Sequence, residues 1–168
     1  QFGTNHLGHF ELTRLLRPLL AGARVVILSS DGHHMSDIDM DDPNWERRAY
    51  DKFRAYGASK TANVLHMVEL NRRYAEDGVH AVAVHPGVVG TSLARYMTRE
   101  DFGALRSMAA DNRDRGAVLD TILSPEQGAA TQVWAATTAE LDGAGSVYLA
   151  DCAIRPDVPA YAMDEHHA

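Results

Sequence analysis

Three short runs of almost uninterrupted apolar residues, Val25-Val26-Ile27-Leu28, Ala81-Val82-Ala83-Val84 and Val147-Tyr148-Leu149, alternate with segments of helical length. A strand with one wet face alternates apolar and polar residues. A continuous run instead suits a strand buried on both faces, as in a parallel sheet covered by helices. Parallel neighbours need crossover connections, which are almost always right-handed, so the pattern specifies an α/β layer structure. In such sheets ligands bind beyond the carboxyl ends of the strands.

The helical segments carry their own signals. Residues 4 to about 20 place Leu7, Phe10, Leu12, Leu15, Leu16, Leu19 and Leu20 on a broad apolar face, with Gly22 at the exit. Residues 24–29 form the first expected strand. Residues 31–53 are polar and acidic and read as a long surface loop, with a helical turn near Trp45. A second helix is expected from about Tyr56 to Glu76, ended by Asp77-Gly78, and a strand over 80–85 is stopped by Pro86-Gly87. Residues 92–123 mix apolar positions with charges and suggest short, mobile helices. Ser124-Pro125-Glu126-Gln127 is a capping-box start for a helix reaching about Thr138. The third strand falls within 145–150, and the tail beyond Asp151, with Pro156 and Pro159, reads as irregular.

Ser30 ends the first strand and Tyr56-Gly57-Ala58-Ser59-Lys60 opens the second helix, which gathers chemistry at one sheet edge. Tyr56 and Lys60, four residues apart, share a helix face. A phenol is a poor base at neutral pH, and a neighbouring ammonium favours its ionised form. A hydroxyl, a phenol and an ammonium can together move a proton on a carbonyl or an alcohol. Taken singly each has a plainer reading: a strand-end serine, an interfacial tyrosine and a solvated lysine. Their convergence with the Pro86-Gly87 turn on one edge carries the functional reading.

Net charge of -7 excludes the basic patch of a nucleic-acid binder, and no apolar run reaches the length of a membrane span. Cys152 is the single cysteine, so no internal disulfide forms, and a cytoplasmic location is the expectation. The pairs His33-His34 and His166-His167 lack metal-site spacing, and no metal is expected. The acidic stretch from Asp37 to Asp42 reads as a solvated loop.

Four ordered blocks give the chain a family resemblance: Asn5-His6-Leu7-Gly8-His9-Phe10, Arg24 through Ser30, Tyr56 through Lys60, and His85-Pro86-Gly87-Val88-Val89-Gly90-Thr91. Together they resemble the short-chain dehydrogenase/reductase superfamily over nearly the whole chain. Gln127-Gly128-Ala129-Ala130-Thr131, Trp134 and Tyr148-Leu149-Ala150-Asp151-Cys152 are similar to its retinol-dehydrogenase-like branch, which includes proteins like the WW-domain oxidoreductase. The resemblance implies an NAD(P)-dependent oxidoreductase interconverting an alcohol and a carbonyl. Tyr56 would be the acid in reduction and the base in oxidation. Lys60 would lower its pKa and bind the nicotinamide ribose, Ser30 would hold the substrate oxygen, and Asn5 would retain a water of the proton relay. Pro86, Gly87, Val88 and Thr91 would line the nicotinamide end of NAD or NADP. Leu93, Met97, Phe102 and Met108 fall where the family's substrate loop lies and hint at a small, apolar alcohol or carbonyl substrate.

Two departures stand out. The acidic loop widens the interval between Ser30 and Tyr56, which that branch tolerates. The family's glycine-rich strand-to-helix turn for the cofactor pyrophosphate has no match, since Gly3-Thr4-Asn5-His6-Leu7-Gly8 follows no strand. The expected fold class is therefore α/β, the C-terminal half of a Rossmann-like doubly wound parallel sheet, about three parallel strands with flanking helices. Residues 1–168 would be one partial domain, inactive by itself and begun within a larger protein. The first strand would then show an unpaired apolar edge to water, a hazard for a monomer. The alternative is a non-catalytic dimerisation or regulatory module, since the two long helices of this family mediate homo-oligomers. A sugar-nucleotide epimerase keeps the same Tyr/Lys chemistry, but the short C-terminal region leaves no room for its sugar-nucleotide domain.

Overall fold

The computed structural model describes residues 1–110 and 122–168. Four strands form one sheet in the order of the chain: β1 (Arg24–Leu28), β2 (His80–Val84), β3 (Tyr148–Ala150) and β4 (Ala153–Ile154). β1 and β2 are parallel with Arg24 opposite His80 and Leu28 opposite Val84, and β2 and β3 are parallel with Ala83 opposite Tyr148. These are the three expected strands. β4 is an addition: it turns back antiparallel on β3, so the tail is not wholly irregular. The turn uses Asp151 and Cys152, both left-handed at φ 52 and 54, the geometry that a two-residue hairpin requires. The Cys152 N–H, freed by that geometry, donates to Thr131 Oγ1 at 3.2 Å.

Helix α2 (Lys52–Tyr74) covers one face of the sheet and α4 (Pro125–Thr137) the other. Val64, Met67, Val68 and Leu70 of α2 pack on Ile27, Ala81, Ala83 and Tyr148. Ala135 of α4, with Leu141, packs on Val82, Val84 and Leu149. Consecutive strand residues thus feed opposite cores, which explains the unbroken apolar runs. α2 is buried on its outer side too, where Ala58, Ala62 and Leu65 meet Ile38 of the acidic loop.

α2 starts earlier than Tyr56, because the Asp51 side chain accepts from the N–H groups of Phe53 and Arg54, each at 2.9 Å. An N-cap carboxylate satisfies the orphan donors of the first turn, so Tyr56 stands in the second turn and not at the helix opening. The capping box at Ser124 and Gln127 is present at the start of α4. In the 92–123 stretch, Thr91 caps a short turn (Ser92–Ala94) and α3 (Arg99–Ala110) forms one three-turn helix. Residues 111–121, and the Met108 side chain, lie outside what the structure describes. Lys52 at the start of α2 pairs with Asp101 of α3.

The first helix opens with a π turn (Gly3–Leu7), continues as α1 (Gly8–Leu16) and closes in a tighter turn (Arg17–Leu19). None of its residues is buried, and Leu12, Leu15 and Leu19 are 57%, 62% and 78% exposed. Within the sheet β1 has β2 on one side and, among the described residues, no strand on the other. No helix among them is long and apolar enough to cross a membrane.

Candidate active site

The carboxyl ends of β1, β2 and β3 meet the second turn of α2, and the chemistry-bearing residues collect there. Beyond β1, Ser30 is extended and caps a short turn (Asp31–Met35), its Oγ accepting from the Gly32 N–H at 3.1 Å. The Tyr56 ring packs against that turn at Gly32. A Cβ on Gly32 would sit 2.6 Å from Tyr56 Cε1, so glycine is what allows the approach. Gly57 is equally constrained, because its Cβ would lie 2.7 Å from Gly32 O. The Tyr56 ring thus packs against the turn that Ser30 caps, and the Ser30 side chain favours the ionised form of the phenol.

Lys60, one helical turn beyond Tyr56, is buried, and its Nζ stands 5.6 Å from the centre of the Tyr56 ring. Its Nζ donates to Leu28 O at 3.4 Å. Burial holds the Lys60 ammonium below the ordinary lysine range. The Tyr56 phenol is pushed up, first by burial; the Ser30 hydrogen bond pulls it back and the Asp31 charge adds to the rise. The phenol is thus raised and not lowered as its lysine neighbour suggested, with desolvation the largest cause.

The end of β1 is clamped to α2 by a set of polar contacts. Ser29 Oγ donates to Lys60 O at 2.9 Å, and Thr61 Oγ1 donates to His33 O and Ser36 O at 3.1 and 2.8 Å. Asn63, fully buried, donates to Leu28 O at 3.1 Å and to Asn5 O at 3.0 Å. Its Oδ1 is 3.0 Å from His6 Nδ1, which must then carry the proton. Leu28 O is therefore shared by Lys60 and Asn63, and Asn63 links Asn5 to the site. The Asn5 side chain donates to Ser59 Oγ at 3.1 Å.

His85 ends β2 beside Asp31, with the Asp31 N–H donating to its Nδ1 at 3.3 Å. This contact brings Pro86 and Gly87 to the same edge. Gly87 is left-handed at φ 83, and a Cβ there would strike Leu123 Cδ1. Val88 O accepts from the Leu123 N–H at 2.8 Å. Thr91 accepts from the Leu93 N–H at 3.3 Å, and among the described residues no contact joins it to Ser30, Tyr56 or Lys60. In the segment that follows this turn, and just before α4, Leu93, Tyr96, Phe102 and Ile122 are exposed.

Gly32, Asn63, Asp31 and His85 went unremarked as site residues in the sequence. Asn63 was the most accessible to inference, since it follows Tyr56 by two helical turns on the same face as Lys60. Asp31, His33 and His34 place one ligand atom each within 4.8 Å of one another, a proximity that the adjacent-histidine spacing did not suggest.

No protein-family model matches the chain. It is 38% identical to an oxidoreductase of Penicillium decumbens over 89% of its own length and 45% of the relative's. It is 37% identical to a short-chain dehydrogenase/reductase of Penicillium roqueforti, over 95% of this chain and 46% of that protein. Human retinol dehydrogenase 14 is 39% identical over 98% of this chain and 47% of the relative. The chain thus spans about half the length of the curated relatives it matches. Among solved structures, an uncharacterized protein from Mycobacterium paratuberculosis superposes with a TM-score of 0.67 at 33% identity, over 99% of this chain and 53% of that one. NADPH-bound carbonyl reductase from chicken fatty liver has a TM-score of 0.54 at 18% identity, over 89% and 52% of the two chains, a likeness of fold.

Proposed function

Because the chain belongs to the short-chain dehydrogenase/reductase family, in its retinol-dehydrogenase-like branch, we propose that it carries the proton-transfer half of an NAD(P)-dependent alcohol/carbonyl oxidoreductase. The observation that carries this reading is the convergence of Ser30, Tyr56 and Lys60 on one edge of the sheet, with the Tyr56 ring against the turn that Ser30 caps and the Lys60 Nζ 5.6 Å from the ring centre.

The residues present fit the nicotinamide-ribose end of such a cofactor. A buried ammonium has three donors, and Lys60 directs one of them to a carbonyl at the long distance of 3.4 Å. Vicinal ribose hydroxyls are apt acceptors for the others. Pro86, Gly87 and Val88 follow β2 on the same edge and would line the nicotinamide, with Thr91 beyond them. The cofactor supplies or accepts the hydride.

The protein's task is the proton. In reduction the carbonyl oxygen gains negative charge as its carbon is reduced, and Tyr56 donates its hydroxyl proton to that oxygen. Ser30 donates a hydrogen bond to the same oxygen and holds it in line. The Lys60 ammonium stabilises the phenolate left behind. In oxidation the phenolate takes the alcohol proton back. Asn63 and Asn5 O, connected to Lys60 through Leu28 O, fix the lysine's height on α2. The exposed Leu93, Tyr96, Phe102 and Ile122, in the segments that follow Gly87, favour an apolar substrate. A non-catalytic module would have no need of a buried lysine beside a phenol at this edge.

Tyr56→Phe keeps the ring against Gly32 and removes the proton. In the full-length protein it should abolish nicotinamide-dependent alcohol and carbonyl turnover, by about a thousandfold or more, and leave the melting temperature nearly unchanged. Activity near the wild-type level in that variant would sink the assignment.

A further inference from the structure

One carboxylate stands beside Ser30 and Tyr56 without a part in that chemistry. Asp31 Oδ1 accepts from Tyr148 Oη of β3 at 3.1 Å, and Oδ2 lies 3.4 Å from His85 Nε2 at the end of β2. Because the Asp31 N–H donates to His85 Nδ1, the neutral ring carries its proton on Nε2, facing the carboxylate. Burial holds His85 below the usual imidazole range, so at neutral pH this partner is uncharged. Tyr148 is a neutral donor to Asp31 and His85 a neutral neighbour at 3.4 Å, so neither cancels its negative charge. One carboxylate therefore joins the segment after β1 to the end of β2 and to β3, and it stands in the chain between Ser30 and Gly32, the residue against which the Tyr56 ring packs.

Resting on the oxidoreductase reading, we propose that Asp31 is a positioning residue whose anchored charge holds the Tyr56 hydroxyl in its proton-donating form. A fixed anion close to a phenol disfavours the phenolate. The direction of the Tyr56 shift agrees: burial raises it first, the Ser30 hydrogen bond opposes, and Asp31 adds to the rise. Tyr56 is faced by Ser30 and Asp31 from the segment after β1, by Lys60 from its own helix and by Tyr148 from β3. His85 acts through Asp31, while Asp151 and Arg155 lie near His85 and Asp157 near Tyr148. Among these Asp31 is the anion that bears on Tyr56 itself. The protonated phenol is the form that carbonyl reduction requires, and alcohol oxidation must wait for higher pH.

Asp31→Asn tests this, since it keeps an acceptor for Tyr148 and removes the charge. In the full-length protein the limb of kcat/KM for alcohol oxidation that rises with pH should move about one unit lower. Oxidation on the acid side of that limb should then rise about tenfold. Asp31→Glu should keep the wild-type limb. An unmoved limb, or a rate lowered equally at every pH, would overturn the proposal and leave Asp31 a structural clip. Should Asp31→Asn not fold, Asp31→Ser must move the limb in the same direction. Ultraviolet titration of the phenolate, wild type minus Tyr56→Phe, reads the same displacement without turnover. A titration step that moves in a protein with no nicotinamide-dependent activity would uphold the Asp31–Tyr56 coupling and reject the oxidoreductase reading. A stationary step with Tyr56-dependent activity would do the reverse.

Discussion

At the scale of single residues, the site is built from close approach as much as from functional groups. Gly32 is present because the Tyr56 ring occupies the space where its Cβ would be. Gly32→Ala should therefore push the phenol out of line with Ser30, with little change in global folding. A displacement of about 1 Å costs roughly a hundredfold in rate, so kcat should fall by about that factor while the far-ultraviolet spectrum is unchanged. Wild-type kcat in Gly32→Ala would show that the ring can shift without consequence. This constraint was invisible in the sequence, because a glycine beside Asp in a polar stretch reads as a turn. Ser30, Tyr56 and Lys60 were legible because strand ends and helix faces have fixed periods. Asn63 obeys the same helical period, but its partners are backbone carbonyls, Leu28 O and Asn5 O, which leave no side-chain signature in a sequence.

At the scale of elements, α2 is a helix with two buried sides, and the outer side contains a group with a pH signature. His66 stands against Phe10 and His6 of the first helix, and among the described residues its Nδ1 has no hydrogen-bond partner. Burial, reinforced by the nearby His6 and His9, pushes His66 down to about 4. In the unfolded chain it titrates near 6.5, so between these values the unfolded state binds a proton that the folded state refuses. Stability from this source is fully present above about pH 6.5 and is lost as pH falls toward 4. The loss is on the order of 3 kcal/mol at its end. Melting temperature should fall across that interval, and His66→Leu should flatten the fall; an equally steep profile in the variant would place the titrating group elsewhere. The three long elements around this helix could be anticipated because continuous apolar runs and the Ser124 capping box are local signals. The start of α2 and the strand β4 could not. The first depends on Asp51, one acid in an acidic loop, and the second is two residues long and exists only against β3.

At the scale of the whole chain, two apolar surfaces lie uncovered among the described residues: the outer side of the first helix and the edge of β1 away from β2. The unpaired edge follows from the strand order and was foreseeable once three parallel strands were recognised. The exposed helix was not, because an apolar stripe in a sequence normally announces a buried face. The 168-residue chain by itself should self-associate at micromolar concentrations, sedimenting well above its 18.4 kDa. Leu12→Glu combined with Leu15→Glu should return it toward the monomer mass, and a monomeric wild-type chain would show these surfaces to be harmless. The network converging on Leu28 O sets a different kind of limit. Lys60 and Asn63 reach Leu28 O and Tyr56 packs on Gly32, all from successive turns of a single helix, so a residue inserted between them would swing the later groups by about 100° around the axis. The segment between Met35 and Asp51 is under no such phase constraint. Changes of chain length during the divergence of this protein should therefore collect in the acidic loop and spare the second to fourth turns of α2.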